Sequence, residues 1–151
     1  MTVIDRFASF YQTLAFADIA KLADIYADDI TLIDPVGTHH GLGQLNAYFE
    51  NLLVNANHCE FAIHHIAAHE IQPLLEHQSY TVTWTMSFAT PRLNGGETIH
   101  VDGITLLKAR DDKIFFHQDY YDLGQMVYEQ VPILKFIINK IKSGMRAWNV
   151  C

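Results

Sequence analysis

Lysine and arginine are scarce in this sequence, ten against seventeen aspartates and glutamates, and they are scattered. A nucleic-acid face needs clustered cations to neutralise phosphates, so the net charge of −7 excludes one and equally disfavours an anionic membrane surface. Cysteine is nearly absent. Cys59 and Cys151 make neither a metal spacing nor a disulfide framework and are read as free thiols. Glycine-rich phosphate loops, nucleophile elbows and Walker patterns are missing. His65 and His69 share a strand face but stand too far apart for one zinc, so no metal and no cofactor is expected. The amino end, MTVIDRFASFYQTL, carries an early acid and polar residues at helical intervals, which fits neither a signal peptide nor a membrane span and implies a cytoplasmic protein. Without repeats, low-complexity tracts or linkers, residues 1–151 read as one domain, with 123–151 as a helical tail.

The chain is rich in core-forming material, half of it hydrophobic and 12% aromatic. Ile4, Phe7, Phe10, Tyr11 and Leu14 recur at helical steps, Asp18 caps a second helix ending near Tyr26, and Leu45, Tyr48, Phe49, Leu52 and Leu53 mark a third over 42–56. From His58 the composition turns β-branched and aromatic. Strands are expected near 60–70, 75–90, 98–109 and 113–121, joined by turns at Gln72-Pro73, 91–96 and 110–112 in an antiparallel meander. Val82, Trp84, Met86 and Phe88 alternate with Thr81, Thr83, Thr85 and Ser87, giving that strand one apolar and one polar face. A short helix over 124–131 and a last one begun at Pro132 complete an α+β cone: three N-terminal helices packed on a curved antiparallel sheet, plus a C-terminal helical extension. The last helix is apolar almost all round, which suits a cover for a sheet or pocket, or a subunit contact, better than a membrane surface.

The stretch ADDITLIDPVGTHHG, residues 27–41, organises the candidate site. Ile30, Leu32 and Asp34 share one strand face, an unfavourable place for a carboxylate without a partner or a task, and Pro35 and Gly37 end the strand in a turn. Asp34 is either a general base or the cap of that turn. Asp102 alternates with Ile104 and Leu106, so burial would favour its neutral form. The last strand sets Phe115, His117, Asp119 and Tyr121 on one face. If that face looks inward, four titratable groups converge on an apolar cavity. Loop residues His39 and His40 could rim its mouth.

These features resemble a known family. Phe7 to Tyr26, YADDITLIDPVGTHHG, VDGITLLKARDDKI and HQDYYD are similar to the nuclear transport factor two-like superfamily, within it the SnoaL-like polyketide cyclases and the ketosteroid isomerase-like proteins. The resemblance implies Asp34 as proton-shuttling base, Asp102 as hydrogen-bond donor to an enolate oxygen, and a homodimer. It also implies a tyrosine from the first helix at the oxyanion, where this chain has Phe10, with Tyr11 one residue on. Cyclase, dehydratase and epoxide-hydrolase relatives place their acid-base groups differently, which would suit His117 and Asp119. Tyr11, Tyr26, Trp84 and Tyr121 are the candidate ligand contacts, although Trp84 is most simply core. The expected function is a cofactor-independent acid-base enzyme for a hydrophobic carbonyl compound, of isomerase, cyclase or dehydratase type. The alternative is a non-catalytic ligand-binding or interaction module.

Overall fold

Thr2 opens the first helix with a capping box: its hydroxyl accepts from the Asp5 amide and the Asp5 carboxylate accepts from the Thr2 amide. The helix, α1 (Val3–Gln12), buries Val3, Phe7, Phe10 and Tyr11 at the three- and four-residue steps of one face. A computed structural model describes residues 1–55, 58–71 and 73–148, among which there are five α-helices and a six-stranded sheet. Asp18 does cap the next segment, its carboxylate accepting from the Ala20 amide, but the helix it opens is shorter than the periodicity suggests. A 3-10 turn (Ile19–Lys21) leads into a single turn, α2 (Leu22–Ile25), and Tyr26 already begins strand β1 (Tyr26–Ile33).

Asp34 closes β1, and the tight turn returns as β2 (Thr38–His40) before α3 (Gly41–Asn55). Then come β3 (His58–Ala68), β4 (Gln78–Ala89), β5 (Ile99–Arg110) and β6 (Lys113–Tyr121), near the expected bounds. Gln72 of the expected Gln72-Pro73 turn lies outside the described residues, as does Cys151. The β5–β6 connection is a two-residue turn, Asp111-Asp112, with positive φ at both positions, as the right-handed twist of the flanking strands requires. It also anchors α1: the Asp112 carboxylate accepts from the Val3 amide at 3.0 Å and from Arg6 at 2.8 Å.

The sheet order is β2-β1-β6-β5-β4-β3. It is mixed rather than purely antiparallel, because β1 runs parallel to β6. That pairing could not be seen in the alternation of either strand, since side-chain period is the same for both strand senses. Its consequence is functional: Leu32 sits beside His117 and Ile33 beside Gln118, so the Asp34 turn emerges next to the end of β6. The sheet is curved and unclosed, and its concave face holds Val82, Trp84, Met86 and Phe88 from β4 against Phe10, Tyr11, Leu45 and Phe49 of the helices. After β6 come α4 (Leu123–Met126), capped by Asp122, and α5 (Pro132–Trp148), which has no buried residue and covers neither sheet nor pocket.

Candidate functional site

Four strands, β1, β4, β5 and β6, and two helices, α1 and α3, set the chemistry of the interior. On β5 the buried residues are Ile99, Val101, Thr105, Leu107 and Ala109, so the odd-numbered face looks into the cone. Asp102 is therefore on the other side. It is exposed, pairs in register with Thr85, and its Oδ1 accepts from the Thr85 hydroxyl at 2.6 Å, while His64 Nε2 lies 2.7 Å from that same hydroxyl. The expectation that Asp102 meets Asp34 in a common pocket is corrected: Asp102 shares its face with His100, Lys108 and Arg110 as well as Ile104 and Leu106, and that face continues the threonine face of β4 on the outside of the cone.

On β6 a bulge between Ile114 and Phe116 resets the alternation. Ile114 is core and Phe115 is turned out against Arg110 and His77, which corrects its expected place beside His117. Past the bulge, His117, Asp119 and Tyr121 do face inward. His117 is 1% exposed.

These side chains form a continuous hydrogen-bonded chain. Tyr11 and Tyr26 hydroxyls lie 2.8 Å apart, Tyr26 Oη is 2.9 Å from His117 Nδ1, and His117 Nε2 is 2.7 Å from Asp119 Oδ1. From the other side, the Thr105 hydroxyl donates to Asp119 Oδ1 at 2.5 Å and accepts from Trp84 Nε1 at 2.7 Å. A carboxylate only accepts, so with Asp119 ionised His117 donates through Nε2; when the ring carries that hydrogen alone, Nδ1 accepts from Tyr26, which accepts from Tyr11. Every hydrogen in the network then points toward Asp119. Protonating His117 would put a hydrogen on Nδ1 and reverse the two tyrosine hydroxyls. Oδ2 of Asp119 has no protein partner among the described residues, and the side chain keeps 19% exposure.

Asp34 is buried at 7% exposure. Its Oδ1 accepts from the amides of Val36 (2.8 Å) and Gly37 (2.9 Å), so it caps its own turn, while Oδ2 stands 3.4 Å from the Tyr48 hydroxyl. Burial, reinforced by the charges of Asp34 and Asp119, pushes both Tyr48 and Tyr121 well above the ordinary phenol range. Tyr11 and Tyr26 are likewise pushed up, chiefly by burial. All four phenols are thus held as hydrogen-bond donors at neutral pH.

Sequence reasoning missed Thr105 and Tyr48. Thr105 had a legible signal, the lone polar side chain among Val101, Leu107 and Ala109; Tyr48 was absorbed into the helical period of α3. His39 stacks on Tyr48 with ring centroids 4.6 Å apart, so it borders the site, whereas His40 turns to Thr31. Phe10 packs edge-on against Phe49, and Tyr11 is the helix residue that delivers a hydroxyl to the interior. Trp84 is core, its ring edge-on to Phe61 and Tyr121. Among the described residues no group of three or more histidines, cysteines, aspartates and glutamates is placed to hold a metal.

The solved structures it resembles share this architecture. A nuclear transport factor two-like protein of unknown function from Burkholderia pseudomallei superposes with a TM-score of 0.68 at 14% identity, covering 85% of this chain and 97% of the other. SalBIII, an epoxide hydrolase/cyclase-like enzyme in pyran ring formation in the polyether salinomycin, gives 0.67 at 13% identity, with coverages of 82% and 92%. A protein with a ketosteroid isomerase-like fold from Catenulispora acidiphila, in complex with trimethylamine, gives 0.64 at 21%, with coverages of 85% and 90%. At these identities the likeness is one of fold. No curated protein matches the sequence. The SnoaL-like domain model matches residues 7–117, from the first helix to the buried histidine of the network, and the chain belongs to that family.

Proposed function

We propose that the chain is a cofactor-independent acid-base enzyme acting on a hydrophobic carbonyl compound, of the isomerase, cyclase or dehydratase type, with Asp119 and His117 at its centre. The observation that supports this most is the polarised network ending on Asp119, whose Oδ1 is held by His117 and Thr105 while Oδ2 is left open. A carboxylate fixed on one oxygen and open on the other is a positioned general base. In this reading Oδ2 takes a proton beside the substrate carbonyl, and His117 with the Tyr26–Tyr11 pair adjusts to the charge change. The phenol of Tyr121, held protonated, donates to the developing oxyanion in place of the residue that Phe10 does not supply, and Tyr48 joins it only on leaving Asp34 Oδ2, to which its hydroxyl donates at 3.4 Å. Asp34 keeps Oδ2 near Tyr48 and serves as the second acid-base group across the mouth. The fold neighbour SalBIII is enzyme-like, and the Catenulispora protein is in complex with trimethylamine, which supports a small-molecule role for this fold.

One observation favours the non-catalytic reading: Asp34 Oδ1 is committed to its own turn, and the interior is filled by edge-on aromatic pairs. Turnover of a panel of hydrophobic ketones and enones separates the two. Asp119→Asn should lose at least a hundredfold in kcat with binding retained, whereas Asp102→Asn, on the outer face, should be unchanged. Full activity in Asp119→Asn, or binding of panel members without any turnover, overturns the enzyme reading. We place the protein in the cytoplasm and assign it a homodimer through the outer sheet face, where Ile104, Leu106 and Tyr120 are exposed; light scattering tests the dimer.

A further inference from the structure

Net charge averages two very different parts of this chain. Four of the ten lysines and arginines, and none of the seventeen acids, lie in α5, so the helix carries +4 and the remaining sequence −11. Its apolar residues also concentrate on one side, although Phe136 and Ile138 extend beyond it. At 100° per residue, Ile133, Ile137, Ile141, Met145 and Trp148 fall on one arc, while Lys135, Lys142 and Arg146 fall opposite, with Lys140 at the border.

A helix packed on its own domain turns its apolar arc inward. Here neither side is buried. The main contact of α5 is with the turn Tyr128–Gln130, and there the polar side is engaged, Lys142 pairing with Glu129. The apolar arc is left in solvent: Ile133 is 75% exposed, Trp148 70% and Ile141 52%. Lys135, Lys140 and Arg146 have no acidic partner among the described residues.

We infer that α5 is a peripheral membrane-binding helix that lies in the surface of an anionic bilayer, its isoleucines and Trp148 in the headgroup boundary and its lysines and arginine against lipid phosphates and carboxylates. Two arguments favour lipid over protein. The first is sign: a helix with four cations and no acid repels a second copy of itself but complements an anionic surface, and cations flanking an apolar arc with a terminal tryptophan suit an interface. The second is area. Seventeen residues span about 25 Å and a helix is about 10 Å across, so the strip offers roughly 250 Å², against roughly 800 Å² per partner in a standard protein interface. A bilayer needs no complementary partner surface. No helix of the described residues is long and apolar enough to cross a membrane, so the contact is one of lying on the surface.

The test is co-sedimentation of the full chain with phosphatidylcholine vesicles, with and without about one third phosphatidylserine. Binding is expected only to the anionic vesicles and should fall steeply when salt is raised, as screening predicts. Lys135→Gln with Lys140→Gln should weaken it about thirtyfold, at about 1 kcal/mol per cation. Ile137→Glu with Ile141→Glu should abolish it, with the circular dichroism and oligomeric state unchanged because neither side chain is buried. No binding to anionic vesicles, or equal binding to neutral ones, overturns the inference. So does a loss of dimer in the isoleucine variant, which would assign the helix to a second copy.

Discussion

Removing the Tyr26 hydroxyl is the most informative single-atom change available in this protein. Among the described residues that oxygen joins Tyr11 to His117 by hydrogen bonds of 2.8 and 2.9 Å, accepting from the first and donating to the second when the ring is neutral, and all three side chains are buried. In Tyr26→Phe two buried polar groups lose their partner at once, the Tyr11 hydroxyl and His117 Nδ1. Each such orphan costs about 1–3 kcal/mol, so the variant should be destabilised by about 2–6 kcal/mol. Tyr11→Phe removes only the end of the chain. Tyr26 still donates to His117 and forfeits one accepted bond, for a cost of about 1 kcal/mol. The double variant leaves a single orphan, His117 Nδ1, because the Tyr11 hydroxyl is gone as well. It should therefore be no less stable than Tyr26→Phe alone, a coupling of opposite sign to simple addition. Urea unfolding at neutral pH, followed by circular dichroism, gives all three values. Equal costs for the two single variants, or costs that add in the double, would refute a directed chain of hydrogen bonds running into His117.

Other consequences are independent of that network. Gly103→Ala should destabilise by about 1–3 kcal/mol, because a Cβ there would sit 2.3 Å from the Trp84 ring and displace the indole that donates to Thr105; an unchanged melting temperature contradicts this. Of the seven tyrosines, Tyr11, Tyr26, Tyr48 and Tyr121 should stay protonated in the native state at pH 11, so absorbance at 295 nm should report no more than three tyrosinates until the protein unfolds. Burial pushes the Cys59 thiol up to about 11 from its ordinary value of 9.0. The unfolded chain then loses that proton first, so its contribution to stability is complete below pH 9 and lost between pH 9 and 11. Cys59→Ala should make the alkaline fall in stability shallower over that window, and an unaltered slope would contradict the assignment.

Much of this molecule is legible in its residues. The period-two threonines of β4 mark its outer face, the Asp-Asp pair marks the β5–β6 turn, and Pro132 marks the start of α5. Within the site, alternation alone puts His117, Asp119 and Tyr121 together, and of the two readings of Asp34 the turn cap is met by its Oδ1. Face assignment fails where it rests on two neighbours instead of the whole strand. Alternation groups Asp102 with Ile104 and Leu106, but the same face carries His100, Lys108 and Arg110, while Ile99, Val101, Leu107 and Ala109 share the other, and pairing with Thr85 puts Asp102 outside. The Phe115 bulge is invisible because one inserted residue inverts alternation without changing composition. The exposed apolar arc of α5 escapes for another reason: periodicity shows that a helix is two-sided, not which side meets the body.

The central claim is that Asp119 exchanges a proton with carbon next to a carbonyl, and deuterium exchange measures that step without knowledge of the product. A hydrophobic ketone that binds the protein, held in heavy water and followed by proton magnetic resonance, should lose its α-proton signal with the wild-type chain. Asp119→Asn should slow the loss at least a hundredfold while binding is kept, and Asp102→Asn should not. Equal exchange in wild type and Asp119→Asn, or bound ketones that never exchange, would contradict the account.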